Sequence, residues 1–297
     1  MTVAITGANG LIGSALARSL QADGVRVVRM VRRPASSPHE VSWDPARRWV
    51  DVDALAAAGP SAVVHLAGAG VGDHRWTASY KDEIRASRVD GTAAIAGAVA
   101  ALPGPVALVS GSAIGYYGDT GSEVVTEAHP PGDSFLADVC VQWEAAAAPA
   151  EEAGVRVAYA RTGLVVSPGG GAFGRMVPIF KAGLGGRIGP GDQWWSFISL
   201  TDEVRALRFL IDNELRGPFN LVAPRPVTNS EAVKDLGAAL GRPSVVPVPT
   251  FALRAALGEF AGEIVMSQGV APQRLTSAGF VWEHPTLPQA LTAELAA

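Results

Sequence analysis

The run Gly7-Ala8-Asn9-Gly10-Leu11-Ile12-Gly13 constrains this chain more than any other feature. It follows TVAIT at 2–6, which reads as a short buried strand. It precedes LIGSALARSLQA at 11–22, where apolar residues fall at helical spacing, and Gly24 is placed to end that helix. VRVVRMV at 25–31 reads as a second strand. Strand, glycine turn, helix and strand form the opening of a βαβ unit. In that context the glycines permit a tight turn, close approach of backbone to a pyrophosphate, and close packing of helix on strand. The free N–H groups at the helix start then face the anion. A purely structural turn is the competing reading, since the chain has 34 glycines.

The alternation continues. Strands are expected at 61–68, 105–112 and 155–166, and helices at 78–100 and 134–153. Repeated β-then-α order predicts an α/β fold: a Rossmann-type, doubly wound parallel sheet with helices on both faces. From 167 to 195 the chain is glycine-rich and reads as an irregular cleft loop, followed by strand and helix in FISLTDEVRALRFLID. The expected division is a Rossmann domain over 1–240 and a smaller, mostly helical substrate-side lobe over 241–297.

An NAD site ordinarily has Asp or Glu at the end of the second strand to hold the ribose 2′-hydroxyl. Here that strand ends Met30-Val31-Arg32-Arg33, without an acid. Arginine suits a 2′-phosphate, which it can grip through two N–H groups, so NADP is the expected cofactor. Two solvated loop charges are the alternative.

Composition removes other classes. A net charge of −4 gives no electrostatic case for nucleic acid or an anionic membrane. Hydrophobic residues at 48% and charged residues at 18% fit a soluble protein with a sizeable core. No stretch approaches the roughly 20 apolar residues of a membrane span, and no leader-like segment precedes the glycine turn, so a cytoplasmic protein, monomer or homodimer, is expected. The single cysteine, Cys140, excludes an internal disulfide, and His39, His74, His129 and His284 are scattered, so no metal set is expected. His65 reads as structural.

Several motifs carry a family resemblance. GANGLIG, HLAG at 65–68 and VSGSAIGYYGD at 109–119, in this order, resemble the extended short-chain dehydrogenase/reductase family, which includes nucleotide-sugar epimerases and dehydratases. TEAHPPGDSF (126–135) and FISLTDEVRAL (197–207) agree. WDP (43–45), RWT (75–77), EIRASR (83–88), LGGRIGPGDQWWSFI (184–198) and APQRLTSAGFVWEHPTL (271–287) resemble an atypical "epimerase family" branch with a small C-terminal domain of unknown role. The resemblance implies cofactor contacts at Gly7, Gly10, Leu11 and Ile12 (pyrophosphate), Arg32 (2′-phosphate), Leu66, Ala67 and Gly68 (adenine and ribose), and Glu83 and Arg88 on the following helix. It also implies contacts at Ser110 and, where the chain passes the nicotinamide, at Thr162, Gly163 and Leu164. For Glu83 and Arg88 an exposed helical salt bridge stays open as the alternative.

Typical members of that family use a Tyr and a Lys four residues later as the proton-transfer pair. The four tyrosines here are Tyr80, Tyr116, Tyr117 and Tyr159, and none has Lys four residues on. Aligned on Glu144, the two slots hold Leu136 and Cys140, which puts hydride chemistry by the usual route in doubt. Ser112 matches the serine that orients a substrate hydroxyl, and Tyr116 and Tyr117 are the candidate substitute phenols. Bonding of Ser112 to backbone and packing of the Tyr rings under the loop compete with those roles. Asp138 and Glu144 read as helix charges, Cys140 as a small buried hydrophobe, and Trp194, Trp195 and Phe197 as stacking or core aromatics. Two functions therefore stand: an NADP-dependent epimerase- or reductase-like enzyme acting on a small or nucleotide-linked carbonyl or hydroxyl by a non-standard acid/base, or an NADP-binding sensor without turnover.

Overall fold

The computed structural model describes residues 1–296. β1 (Thr2–Thr6), α1 (Leu11–Ala22) and β2 (Arg26–Val31) form the opening unit, with Gly24 at a φ of 74° where the chain leaves the helix. The chain continues through β3 (Glu40–Asp44), β4 (Trp49–Val50), α2 (Val52–Ala58), β5 (Ala62–His65), α3 (Ala78–Ala100) and β6 (Ala107–Ala113). Next come β7 (Val124–Val125), α4 (Phe135–Ala145), α5 (Ala148–Glu152), β8 (Arg156–Thr162), β9 (Leu164–Val166) and α6 (Gly171–Lys181). β10 (Trp194–Trp195), β11 (Phe197–Ser199), α7 (Leu200–Asp212), β12 (Gly217–Leu221), β13 (Val227–Thr228) and α8 (Asn229–Ala239) follow. The chain closes with α9 (Thr250–Leu257), α10 (Phe260–Val265), β14 (Gly269–Val270), α11 (Gln273–Ser277) and α12 (Leu287–Ala296).

Eight strands form one sheet in the order β12-β8-β6-β5-β1-β2-β3-β4. All neighbours run parallel except the β3–β4 pair. Strand side chains alternate between faces, and both faces are covered here, which is why central strands such as β1 and β5 carry unbroken apolar runs at Val3–Ile5 and Ala62–Val64. Val3 and Ile5 of β1 join one core with Leu16 and Leu20 of α1 and Leu207 and Leu210 of α7. Ala4, between them, joins the opposite core with Leu55, Ile95 and Val99. The strand order reverses between β1 and β5, and such a reversal opens a crevice at the carboxyl ends of the strands. No helix among the described residues is long and apolar enough to cross a membrane.

Three expectations need correction. The helix expected over 134–153 is two, α4 and α5, with Pro149 in the first turn of the second. A proline lacks the N–H that a continuous helix needs, but fits a new first turn. The strand expected over 155–166 breaks at Gly163, where a Cβ would lie 2.7 Å from the Ser196 carbonyl oxygen. There β8 ends and β9 leaves the main sheet to pair with β11. Within the stretch read as irregular, α6 is a helix burying Phe173, Val177 and Phe180. Those residues share a core cluster with Val233 and Leu236 of α8 and Leu287 and Leu291 of α12. The C-terminal segment is also tied back by Trp282, whose Nε1–H donates to the Val222 carbonyl at 2.9 Å, and by Arg274, which donates to the carbonyls of Pro218 and Arg216 at 2.6 Å.

Candidate functional site

The glycine turn is built by exclusion. Gly7 has a φ of 66°, a conformation that costs L side chains energy. A Cβ on Gly13 would stand 2.2 Å from the Gly7 carbonyl oxygen, so only glycine lets the first helical turn pack on the turn before it. The Gly10 N–H donates to Gly7 O at 2.9 Å and closes the turn. Gly10 gives α1 no side-chain cap, so the first-turn amides are left for a ligand. Thr6 latches the neighbouring strand end: its Oγ1 accepts from the N–H groups of Leu66 at 3.0 Å and Ala67 at 3.2 Å. With both acceptor positions filled, the Thr6 hydroxyl donates to Nδ1 of His65 at 2.7 Å. His65 is fully buried, and burial, with the nearby Arg88 charge, holds its pKa down at about 3. The ring is therefore neutral and structural.

Beside the turn, at the carboxyl ends of β2 and β3, lies a cavity of about 620 Å³ lined by Arg32, Arg33, Ser42, Trp43, Asp44, Arg47 and Trp49. The two adjacent arginines differ. Arg33 donates twice to Glu40, at 2.6 and 2.8 Å, and this pairing pulls the Glu40 carboxyl down to about 2. Arg32 has neither a hydrogen bond nor an ion pair among the described residues. Arg47 has only a loose contact with Asp44 at 3.6 Å. One unpaired guanidinium, one loosely paired with Asp44, and two indole rings thus share one depression. Arg47, Trp43 and Trp49 were not singled out as ligands from the sequence; the WDP motif was the available signal.

The other arm of the crevice runs from Leu66 to Gly68 and past the ends of β6 and β8. Arg88 rises from α3 beneath Gly68, where a Cβ would meet its guanidinium at 3.4 Å. One of its N–H groups, on Nη1, donates to the carbonyls of Ala69 at 2.9 Å and Ile84 at 3.1 Å. Its guanidinium carbon lies 5.1 Å from the Trp143 ring centre. Glu83 is exposed on the same helix and forms no ion pair with Arg88. Ser110 is buried, with its Oγ on the Gly111 carbonyl at 3.3 Å.

Thr162 closes β8 and donates to Glu203 Oε1 at 2.8 Å. Glu203 is fully buried, its Oε2 has no partner, and burial pushes its carboxyl up to about 8. An unfolded chain releases this proton near the ordinary value of 4.5, whereas the folded protein keeps it until about 8. Between those values the unfolded state binds fewer protons, so stability falls as pH rises, by about 1.4 kcal/mol per pH unit for one such group. Glu203→Gln keeps the acceptor for Thr162 and removes the titration. Urea unfolding between pH 5 and about 8 should show the variant losing less stability than the wild type over the interval; parallel curves would contradict this.

Around Ser112 the structure assembles a buried polar network. The Ser112 hydroxyl donates to Glu144 Oε1 at 2.7 Å. Arg161 donates to both Glu144 oxygens, at 2.7 and 2.8 Å, and its Nη1 donates to the Tyr117 hydroxyl at 2.9 Å. Tyr117 donates in turn to Asn220 Oδ1 at 2.7 Å, and Asn220 N–H reaches Glu127 at 3.0 Å. The Tyr117 phenol is thus committed inside the protein, and burial pushes its pKa up to about 12. Tyr116 differs: its ring centre lies 3.4 Å from the Arg161 guanidinium carbon, and its hydroxyl has no hydrogen-bond partner among the described residues. Cys140 is buried with its thiol pushed up to about 12, mainly by burial, and so is not a thiolate nucleophile. Leu136 and Cys140 bring no proton-transfer group to α4. Among the described residues no cluster suits a metal ion.

The β5–α3 loop roofs this side of the crevice and is held from two directions. Tyr80 donates to the Gly70 carbonyl below it. Arg175 of α6 pairs with Asp73 at 2.7 Å, and Lys81 pairs with Glu259 at 2.6 Å, just before α10. Trp76 packs between Phe135 and Phe260, with ring centres 5.0 and 5.3 Å away.

Two family models match the chain: the NAD dependent epimerase/dehydratase family over residues 3–221, and a domain of unknown function (DUF1731) over 248–294. An epimerase family protein of Mycobacterium bovis is 45% identical over 291 residues, covering 97% of this chain and 96% of that protein. Human epimerase family protein SDR39U1 (isoform 2), solved with NADPH, superposes with a TM-score of 0.90 at 32% identity, covering 100% of this chain and 99% of that one. A nucleoside-diphosphate sugar epimerase from Corynebacterium glutamicum superposes with a TM-score of 0.81 at 37% identity, covering 99% of this chain and 58% of that one.

Proposed function

Because this chain belongs to the NAD dependent epimerase/dehydratase family, we propose that it binds NADPH and acts as an epimerase- or reductase-like enzyme on a small or nucleotide-linked carbonyl or hydroxyl. The observation that carries the cofactor reading is the unpartnered Arg32 in the cavity beside the glycine turn, with Arg47 across from it. The residues fit that group. Gly7, Gly10 and Gly13 leave no side chain between the backbone and a pyrophosphate, with Leu11 and Ile12 opening the helix whose amides would hold it. The human relative solved with NADPH supports the same choice. Leu66, Ala67 and Gly68 would flank the adenosine side, while Glu83, Arg88, Ser110 and Thr162–Leu164 would flank the rest of the dinucleotide.

When bound, the reduced nicotinamide supplies a hydride. The chain has to supply the proton. Tyr116 is the best candidate acid, since its hydroxyl is free while its ring rests on Arg161. Ser112 gives its own proton to Glu144 and so offers lone pairs to a substrate hydroxyl, which orients the substrate. Tyr117 would act through Arg161 as a support. The apolar pair Leu136 and Cys140 supports a second reading, a cytoplasmic NADPH-binding sensor without turnover.

Calorimetry on cofactor-stripped protein should give binding of NADPH and much weaker binding of NADH. Absence of heat for both would end the cofactor reading. NADPH consumption with a panel of simple carbonyls, together with product analysis for epimerised nucleotide sugars, which leaves the cofactor unconsumed, then separates the two functions. Turnover lost in Tyr116→Phe, with NADPH affinity kept, supports the enzyme; binding with no turnover across the panel supports the sensor.

A further inference from the structure

Trp49 is the only exposed tryptophan among the seven of the chain, with 49% of its surface open. An indole is the largest apolar surface a side chain can bury, so one left uncovered inside a cavity marks a face that a ligand completes. Trp49 stands in the cavity that also holds Arg32, Arg33 and Arg47. Among the described residues no aromatic ring and no cation packs on its face. Trp43, the other indole of the cavity, is 3% exposed, meets the His65 ring edge-on at 5.7 Å and belongs to the core beneath the sheet.

The β3–β4 turn anchors Trp49 from both sides. Asp44, its partner across the hairpin, accepts the N–H groups of Ala46 and Arg47 through Oδ1 at 3.0 and 3.3 Å. Arg48 then takes a φ of 48°, the only positive φ at a non-glycine residue among those described. That conformation costs an arginine energy and persists where the surroundings fix it. Here Arg48 donates through Nε and Nη2 to Oδ1 of Asp90 on α3, at 2.9 and 2.6 Å. The reversal delivers Trp49 to the cavity beside Arg47 on a hairpin that is ordered before any ligand arrives, which lowers the cost of binding.

Covalent chemistry decides what meets the ring. In NADPH the 2′-phosphate and the adenine are carried on neighbouring carbons of one ribose. A phosphate held by Arg32 therefore brings the adenine into the same cavity, whose volume of about 620 Å³ suits a fragment of that size. Guanidinium groups suit the phosphate, whereas the flat, neutral base stacks on an aromatic face, and Trp49 has the face that is free. We propose that Trp49 is the platform on which the adenine stacks, so that the β3–β4 hairpin recognises the base while Arg32 and Arg47 recognise the 2′-phosphate. The proposal rests on the NADPH reading above and deepens it, by assigning the base to a residue. Leu66, Ala67 and Gly68 then flank the ribose side of the same adenosine, since the Trp43 and His65 rings join the cavity to that strand end.

The test is titration calorimetry of cofactor-stripped protein with NADPH, NADH and adenosine 2′,5′-bisphosphate, with tryptophan fluorescence recorded alongside, for the wild type, Trp49→Ala and Trp49→Phe. Trp49→Ala should weaken all three ligands by one common factor, about 5- to 150-fold, because each carries the adenine. The preference for NADPH over NADH should stay as in the wild type, which separates a base contact from the phosphate contact of Arg32. Trp49→Phe keeps an aromatic face and should recover most of the affinity. It should also lose most of the fluorescence quenching that the bisphosphate causes in the wild type, since Trp49 is the indole against the base. Quenching that is absent from the wild type, or as strong in Trp49→Phe, overturns the proposal. So does a Trp49→Ala protein that binds the bisphosphate within about twofold of the wild type. A loss confined to the two phosphorylated ligands overturns it as well, because Trp49 would then serve the 2′-phosphate. Each of these results leaves the NADPH reading intact, whereas a wild type that binds none of the three ligands removes both.

Discussion

Arg32→Ala should weaken NADPH about 30- to 150-fold and leave NADH within about a factor of two. The range is what about 2–3 kcal/mol from charge-assisted hydrogen bonds to a phosphate amounts to. Selectivity is the informative part, because NADH lacks the 2′-phosphate and offers Arg32 nothing to lose. Arg33→Ala makes the contrast. Its guanidinium is already bound to Glu40 by two hydrogen bonds, so its removal should cost NADPH little directly. The freed Glu40 carboxylate would add a negative charge near the pocket and lower affinity by a smaller factor. Arg47→Ala should resemble Arg32→Ala, since Arg47 shares the cavity. Calorimetry of the three variants with both nucleotides decides the matter. Equal losses of NADPH and NADH in Arg32→Ala would show that the variant had disturbed the pocket as a whole, and would refute the phosphate role.

That contrast marks the limit of what the sequence discloses. The glycine turn is legible because its requirements are local: each of Gly7, Gly10 and Gly13 meets backbone within a few residues or at the adjacent strand end. The parallel sheet is legible for a similar reason, since β1 and β5 are unbroken apolar runs and the apolar residues of α1 fall at helical spacing. Arg32 and Arg33 are chemically equivalent in the sequence. What separates them is Glu40, on a strand that composition hides because β3 mixes Ser42 and Asp44 with Val41 and Trp43. The helix at 171–181 is obscured by its own glycines and by Pro178, and forms because Phe173, Val177 and Phe180 have a core to enter. The polar network at Ser112 is invisible in the sequence. Its members come from β6, α4, β8, the turn after β6 and β12, and nothing in the spacing of Ser112, Glu144, Arg161, Tyr117 and Asn220 announces that they meet.

Glu144→Ala should be the most damaging single change in that network, at about 3–5 kcal/mol of stability. The Arg161 side chain is only 3% exposed and that of Glu144 13%, so water cannot replace the lost carboxylate. Removing it strands a guanidinium that had two charged hydrogen bonds, and it also deprives the Ser112 hydroxyl of its acceptor. Replacing both charges together should cost far less. In Glu144→Met with Arg161→Met the desolvation penalty of each ion disappears along with their attraction, and two flexible apolar side chains fill comparable volume. The network's functional part can then be read separately. If Ser112 and Tyr116 handle the substrate, the double variant should fold, bind NADPH near the Arg32 pocket about as well as the wild type, and lose turnover, because Ser112 is no longer oriented and Tyr116 has lost the cation beneath its ring. Urea unfolding of the single and double variants gives the stabilities, and calorimetry with NADPH gives the fold control. A Glu144→Ala loss below about 1 kcal/mol would mean that Arg161 finds solvent or another partner, and that the network is not the closed unit its hydrogen bonds describe.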